Sequence, residues 1–202
     1  MAKTLPIVQL GDPVLRRPAR DVTRAELAEP RMRELIAAMK QTMRRAPGVG
    51  LAAPQVGLGL RLAVIEDMPG DDEEETRDDR ATRERDAVPF HVIVNPTLTR
   101  EDDGEVRHFE GCLSLEGFVA VVSRAHRVRV ECLDETGAPR TIHASGWYAR
   151  ILQHEIDHLD GVVYVDRMET RTLMSSDELA EHWAGRDVEE IRSALDSGRR
   201  PT

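Results

Sequence analysis

The 202 residues suffice for one compact domain with a core and a cleft, and 40% hydrophobic with 32% charged residues places the chain among globular proteins. No apolar run approaches the roughly 20 residues that span a bilayer, and Pro6, Gly11, Asp12 and Pro13 interrupt the start where a signal peptide would be apolar. The formal charge of −9 is local: residues 66–86 hold eleven acids against four arginines, a net of −7, which leaves −2 for the rest.

Thr23 and Glu26 form a capping-box pattern that predicts a helix running to about Arg45, ended by the glycine-rich "APGVG". Its basic residues are interleaved with Leu35, Ile36 and Met39, so it does not read as a nucleic-acid surface. Residues 60–66, "LRLAVIE", and 90–96, "FHVIVNP", read as strands on either side of the acidic insert, 67–88. Nothing apolar in that insert offsets the entropy of ordering, which predicts an exposed, disordered loop; docking of a basic partner is the second reading. "VAVVSRAHRVRVECLD" predicts two strands. Val128, Val130 and Cys132 alternate there with Arg127, Arg129 and Glu131, which places Cys132 in the core. Ser145 stands where it would cap a helix over 146–159, stopped by Asp160 and Gly161. Residues 170–202 are polar, with a short helix near 177–184 and a frayed end. The predicted class is α+β, with mixed and antiparallel sheets packed around the helix at 146–159 and an N-terminal helix beside them. A catalytic unit would span residues 1–168, followed by a polar, partly helical tail at 169–202.

"QHEIDHLDG" carries two histidines four apart with a glutamate between them. At about 100° per residue, His158 lies about 40° round the helix from His154, Ile151 about 60° and Glu155 about 100°. The imidazoles therefore share a face one turn apart and can reach one ion. Glu155 sits at the edge of that face, where a general base acting on an activated water belongs. Asp157, on the other flank, either orients an imidazole or is solvated. Ile151, Leu152, Ile156 and Leu159 imply a buried helix, and buried histidines need partners.

Two imidazoles do not hold a catalytic metal alone. One protease pattern would require a third histidine where Tyr164 stands, and another would take a downstream glutamate, for which Glu178 is available in the polar tail. Cys112 in "FEGCLSLEG" lies outside any alternating pattern, beside Gly111, whose backbone freedom would permit a close approach to a metal. A thiolate with two imidazoles leaves the fourth position open, as a hydrolytic metal needs. Taken by itself, a lone cysteine is more often a small buried hydrophobe.

"GVGLAAPQ" (48–55), "EGCLS" (110–114) and "QHEIDH" (153–158) resemble the three motifs of peptide deformylases, in that family's order and with compatible spacing. "LGDPVLRRPA" and "SGWYARILQHEIDHLDG" extend the likeness over most of residues 5–168. "GVGLAA" also fits a dinucleotide-binding fingerprint, but a helix precedes it and Pro54 would break a following one. The resemblance implies an enzyme that removes the formyl group from N-formylmethionine at the start of new polypeptides, releasing formate. It implies Cys112, His154 and His158 as metal ligands, with Glu155 taking a proton and later returning it to the departing amine. By the same likeness the Gln55 side-chain amide and the Leu113 backbone N–H stabilise the oxyanion, and the Gly50 backbone holds the substrate extended. One Fe²⁺ per chain is implied, with Zn²⁺ or Ni²⁺ as replacements, although the ligand set alone suits zinc. The expected partners are N-formylmethionyl nascent peptides and, in passing, the ribosome, with no direct nucleic-acid contact, no membrane and a cytoplasmic location. Ile151 on the metal face and Trp147 one turn back are either walls of a methionine pocket or ordinary core. Two positions depart from the family: Glu116 stands where many members have proline, and Val119 where several bacterial members carry a substrate-contacting arginine. Arg124 follows, and the run from Glu110 to Arg124 looks closer to the organellar-type branch.

Overall fold

Leu62 and Val64 alternate with Ala63 and Ile65 along one strand, and all four are fully buried. A strand so continuously apolar must be covered on both faces, and this one is. In a computed structural model, which describes residues 4–46, 48–68 and 84–198, it is β2 (Leu62–Asp67) of a five-stranded antiparallel sheet. The others are β1 (Gly50–Ala52), β3 (Val88–Arg100), β6 (Arg127–Leu133) and β7 (Pro139–Ser145), in the order β1-β2-β3-β6-β7.

One face of the sheet, with Ala63, Ile65, Ile93 and Val130, packs on Ile151, Leu152 and Ile156 of a helix at Gly146–Leu159. The other face, with Leu62, Val64 and Val92, packs on Leu27 of α1 (Arg24–Ala28) and on Met32, Ile36 and Met39 of α2 (Pro30–Arg45). The central helix is α3. Each large apolar side chain it buries contributes about 1.5–3 kcal/mol, so packing fixes it more than capping does. Ser145 occupies its N-cap position but makes no side-chain cap bond. Gly161, at φ +77°, ends it in the left-handed conformation that suits glycine.

The predicted helix from Thr23 to Arg45 is two helices. The Thr23–Glu26 capping box forms, but Glu29 is extended at ψ 143° because the ring of Pro30 disfavours a helical conformation in the residue before it. Pro30 then opens α2.

A second sheet, β4 (Glu105–Cys112), β5 (Leu115–Ala125) and β8 (Met174–Ser175), lies across the other side of α3. Its Ala120 and Val122 pack with Leu15, Val163 and Tyr164. The acidic insert is narrower than its predicted bounds of 67–88: Asp67 ends β2, Val88 begins β3, and the two are register partners. Most of it, residues 69–83, lies outside the described residues, and the predicted loop character there with them. Within the tail, α4 (Ser176–His182) matches the expected short helix. A further helix, α5 (Val188–Ser197), stands where a frayed end was predicted, anchored by the buried Ile191. No described helix is long and apolar enough to cross a membrane.

Candidate metal centre

Cys112 closes β4 at a hairpin, where it pairs with Leu115. The register shifts between Gly111 and Cys112, and such a bulge re-aims the side chain that follows it. This replaces the predicted role of Gly111, where an added Cβ would make only an ordinary contact, 3.5 Å from Val119 Cγ1. The re-aimed thiol meets the two histidines of α3. Cys112 Sγ lies 3.3 Å from His158 Nε2, and the ligand atoms of Cys112, His154 and His158 all fall within 4.8 Å of one another. The protease alternatives find no support: Tyr164, where a third histidine would be needed, stacks its ring on His154 and donates its hydroxyl to the Phe118 carbonyl at 3.0 Å, and Glu178 faces His182 within α4.

Two soft-to-borderline nitrogens and one sulfur in this arrangement suit a divalent transition metal. The nitrogens are already oriented for it. His154 Nδ1 lies 3.0 Å from Glu110 Oε2, which leaves Nε2 for an ion. Burial lowers the proton affinity of His154, but Cys112 and Glu110 outweigh it and raise its pKa well above the ordinary value. His158 goes the other way, held neutral by burial and by the His154 charge.

Glu110 is the residue that sequence reasoning missed. It is 5% exposed and accepts from Arg124 Nε and Nη2 at 2.9 Å each and from Arg150 Nη1 at 2.6 Å. Burial would raise its pKa, but Arg124 and His154 hold it well below the usual carboxylate range. Arg124 also donates to Asp157, which takes Arg167 Nε and Nη2 at 2.6 and 2.8 Å. Asp157 is therefore neither solvated nor turned to an imidazole. Arg124, 5% exposed behind the histidines, is no replacement for a substrate-contacting arginine. An acid two residues before a candidate ligand on a strand was the one available sign.

Glu110→Gln should weaken metal binding by about 10–100-fold, because the His154 orientation is lost. It should also cost about 3–5 kcal/mol of stability, because two buried guanidiniums lose their carboxylate. Competitive chelator titration and denaturant unfolding check the two; normal affinity in the variant would remove Glu110 from the site.

The cluster opens into a cleft of about 970 Å³ lined by Gly50, Gln55, Leu113, Trp147, Ile151 and Glu155, among others. All the site residues expected from the sequence thus converge here, His158 from beneath, 1% exposed. Glu155 lies against Gly50 so closely that a Cβ there would come 2.3 Å from Oε1. Burial pushes its carboxyl up to about 7, and Oε2 has no hydrogen-bond partner among the described residues. An orphaned buried oxygen facing a cleft is suited to a proton that arrives with substrate or water. Gln55, 1% exposed, accepts from the Ala52 N–H at 2.8 Å. Its Nε2 therefore faces Cys112 Sγ at 3.5 Å and Ser114 Oγ at 3.4 Å. Leu113 presses on Gly48, where a Cβ would sit 2.7 Å from Leu113 Cδ1. Cys132 stays in the core beneath the sheet, 7% exposed.

Residues 4–173 match the family model described as polypeptide deformylase. The chain is 48% identical over 191 residues to "Peptide deformylase 3" of Streptomyces avermitilis, covering 95% of this chain and 83% of that protein. It is 44% identical over 173 residues to "Peptide deformylase 1A, chloroplastic" of Solanum lycopersicum, covering 86% of this chain and 62% of that one. Among solved structures it resembles a Met-Ala-Ser-bound class I type b peptide deformylase from Acinetobacter baumannii, with TM-score 0.74 and 32% identity over 83% of this chain and all of that one. With the three motifs gathered at one cleft and this likeness along most of its length, the chain belongs to the polypeptide deformylase family.

Proposed function

We propose that Cys112, His154 and His158 hold the metal of this peptide deformylase and that Glu155 is its general base and acid. The enzyme removes the formyl group from the N-terminal formyl-methionine of newly synthesised polypeptides and releases formate. The observation that carries the assignment of residues is the Cys-His-His cluster at the floor of a cleft whose glutamate keeps an unpartnered oxygen. Cys112, His154 and His158 would hold a divalent metal, which would supply Lewis-acid activation of water near neutrality.

Glu155 accepts the proton of the attacking water at Oε2 and returns it to the amine nitrogen as the C–N bond of the formamide breaks. Gln55, its amide fixed by Ala52, donates Nε2–H to the oxygen that gains charge in the tetrahedral state, together with the backbone N–H of Leu113. The backbone of Gly50, kept free of a side chain by the Glu155 carboxylate, holds the substrate chain extended along the open edge of β1. Ile151 and Trp147 form the wall against the methionine side chain. Fe²⁺ is the working ion, with Zn²⁺ or Ni²⁺ as replacements. The catalytic unit is residues 1–168, with 169–202 as its tail. The enzyme acts in the cytoplasm, meets nascent chains beside the ribosome, and contacts neither nucleic acid nor membrane directly.

Anaerobically prepared, iron-loaded protein should release one formate per formyl-Met-Ala-Ser consumed while binding one ion per chain. Cys112→Ala should abolish both metal retention and turnover. Full activity in the cysteine variant, or metal-loaded protein that leaves the formyl group in place, would overturn the assignment.

A further inference from the structure

Trp147 is the second residue of α3, and its ring forms part of the cleft wall. Among the described residues, His108 and Arg85 both meet that ring. His108 of β4 meets it edge-on, with ring centroids 6.2 Å apart at 73°. Arg85 lies over the ring, its Cζ 5.9 Å from the centroid. Arg85 comes from the C-terminal flank of the acidic insert, a part of the chain that the three motifs do not reach.

Arg85 is not a loose surface cation. Its Nε and Nη2 donate to Asp67 Oδ2 and Oδ1 at 2.9 and 2.8 Å, and the Asp67 side chain is 2% exposed. The planar fork and the carboxylate match in a two-bond geometry that fixes the guanidinium in place and orientation. The neighbouring Glu84 lies 3.0 Å from His126 Nε2, so the flank is tied down twice. Asp67 is itself the last residue of β2. The strand end therefore sets the arginine, and the arginine lies over the ring of the tryptophan. With that cover gone, the ring would gain room to turn, and the wall on which the methionine side chain rests would change shape.

We propose that Arg85, clamped by Asp67, is a positioning residue that holds Trp147 in the wall of the methionine pocket, so that the flank of the acidic insert sets selectivity for the first substrate residue. This rests on the reading above that the formyl-methionine side chain lies against Ile151 and Trp147.

The test compares kcat and KM of iron-loaded enzyme for formyl-Met-Ala-Ser and for the same peptide with formyl-alanine or formyl-norleucine in first place. In Arg85→Ala, KM for the methionine peptide should rise roughly tenfold, the scale of one desolvated cation–π contact, while kcat falls less than KM rises. The preference for methionine over alanine should shrink by a similar factor. Arg85→Lys, which keeps charge but not the fork, should restore part of it. In a Trp147→Leu background the Arg85→Ala change should have no further effect on selectivity. Arg85→Ala strands a buried carboxylate, so Asp67→Asn with Arg85→Ala carries the same comparison if the single variant does not fold. Unchanged selectivity, or an Arg85 effect that persists in Trp147→Leu, would overturn the proposal. A wild-type enzyme that releases no formate would instead sink the deformylase reading on which it rests.

Discussion

Glu155→Ala is expected to lower kcat/KM for formyl-Met-Ala-Ser by on the order of 10²–10⁴-fold, the range of a single general acid–base group, with the metal still bound. The expectation rests on position. Glu155 contributes no atom to the Cys112–His154–His158 cluster, yet its carboxylate is pressed onto Gly50 at the cleft floor with Oε2 unpartnered. Burial brings its carboxyl up to about 7, nearer the working pH than a free glutamate, where a group that must both take and return a proton is effective. A bound cation draws that value down. The wild-type rate should therefore rise with pH through an ionisation below about 7, and the variant should lack that limb. Glu155→Gln, which keeps the shape and loses the base, should be as slow as alanine. Formate release measured beside metal content decides the matter. A variant that turns over normally, or one whose loss simply follows loss of metal, would remove Glu155 from the chemistry.

Gln55→Glu should lower kcat by on the order of 10²–10³-fold, the usual cost of one oxyanion donor, with a smaller change in KM. The substitution is informative because of the bond from the Ala52 N–H to Oε1. Glutamate keeps that acceptor and the side-chain shape, so β1 and the turn after it have no reason to move. What changes is the other end: a donor facing Cys112 and Ser114 becomes an acceptor where negative charge must develop. Steady-state kinetics with the thermal midpoint as a control separates the two. Unaltered kcat in a folded variant would mean that the oxyanion draws on other donors.

The parts of the site that could be read from the chain are those where metal chemistry dictates residue type and spacing. His154 and His158 had to be four apart to share a face of α3, and Glu155 followed from the same angle. Cys112 was less legible, because what turns it toward α3 is a bulge, and a bulge leaves no composition signal. Glu110 and the arginines around it were barely legible for a different reason. Their pairing runs between β4, β5 and α3, and a charged residue on a strand reads as solvated until its partner's place is known. The same held for Asp157. Among the elements, β2 and β3 were plain from their apolar runs, whereas β4 and β7 carry charges and histidines that mask the period of two. The break at Glu29 was legible and passed over: Pro30 announces it, but the apolar pattern beyond it speaks for a single helix.

The pairing of Asp67 with Val88 has a consequence for how this chain can vary. The polypeptide leaves the five-stranded sheet and re-enters it at one point, so the ends of the acidic segment meet whatever lies between them. Closing a flexible loop costs only about 0.6 kcal/mol more for each doubling of its length. Between β2 and β3, then, whole peptides can be gained or lost over generations at almost no thermodynamic penalty, provided Asp67 and Arg85 survive. At the β4–β5 turn a single added residue would swing Cys112 away from the histidines. The hairpin that carries the acidic insert is the fold's natural port for new sequence.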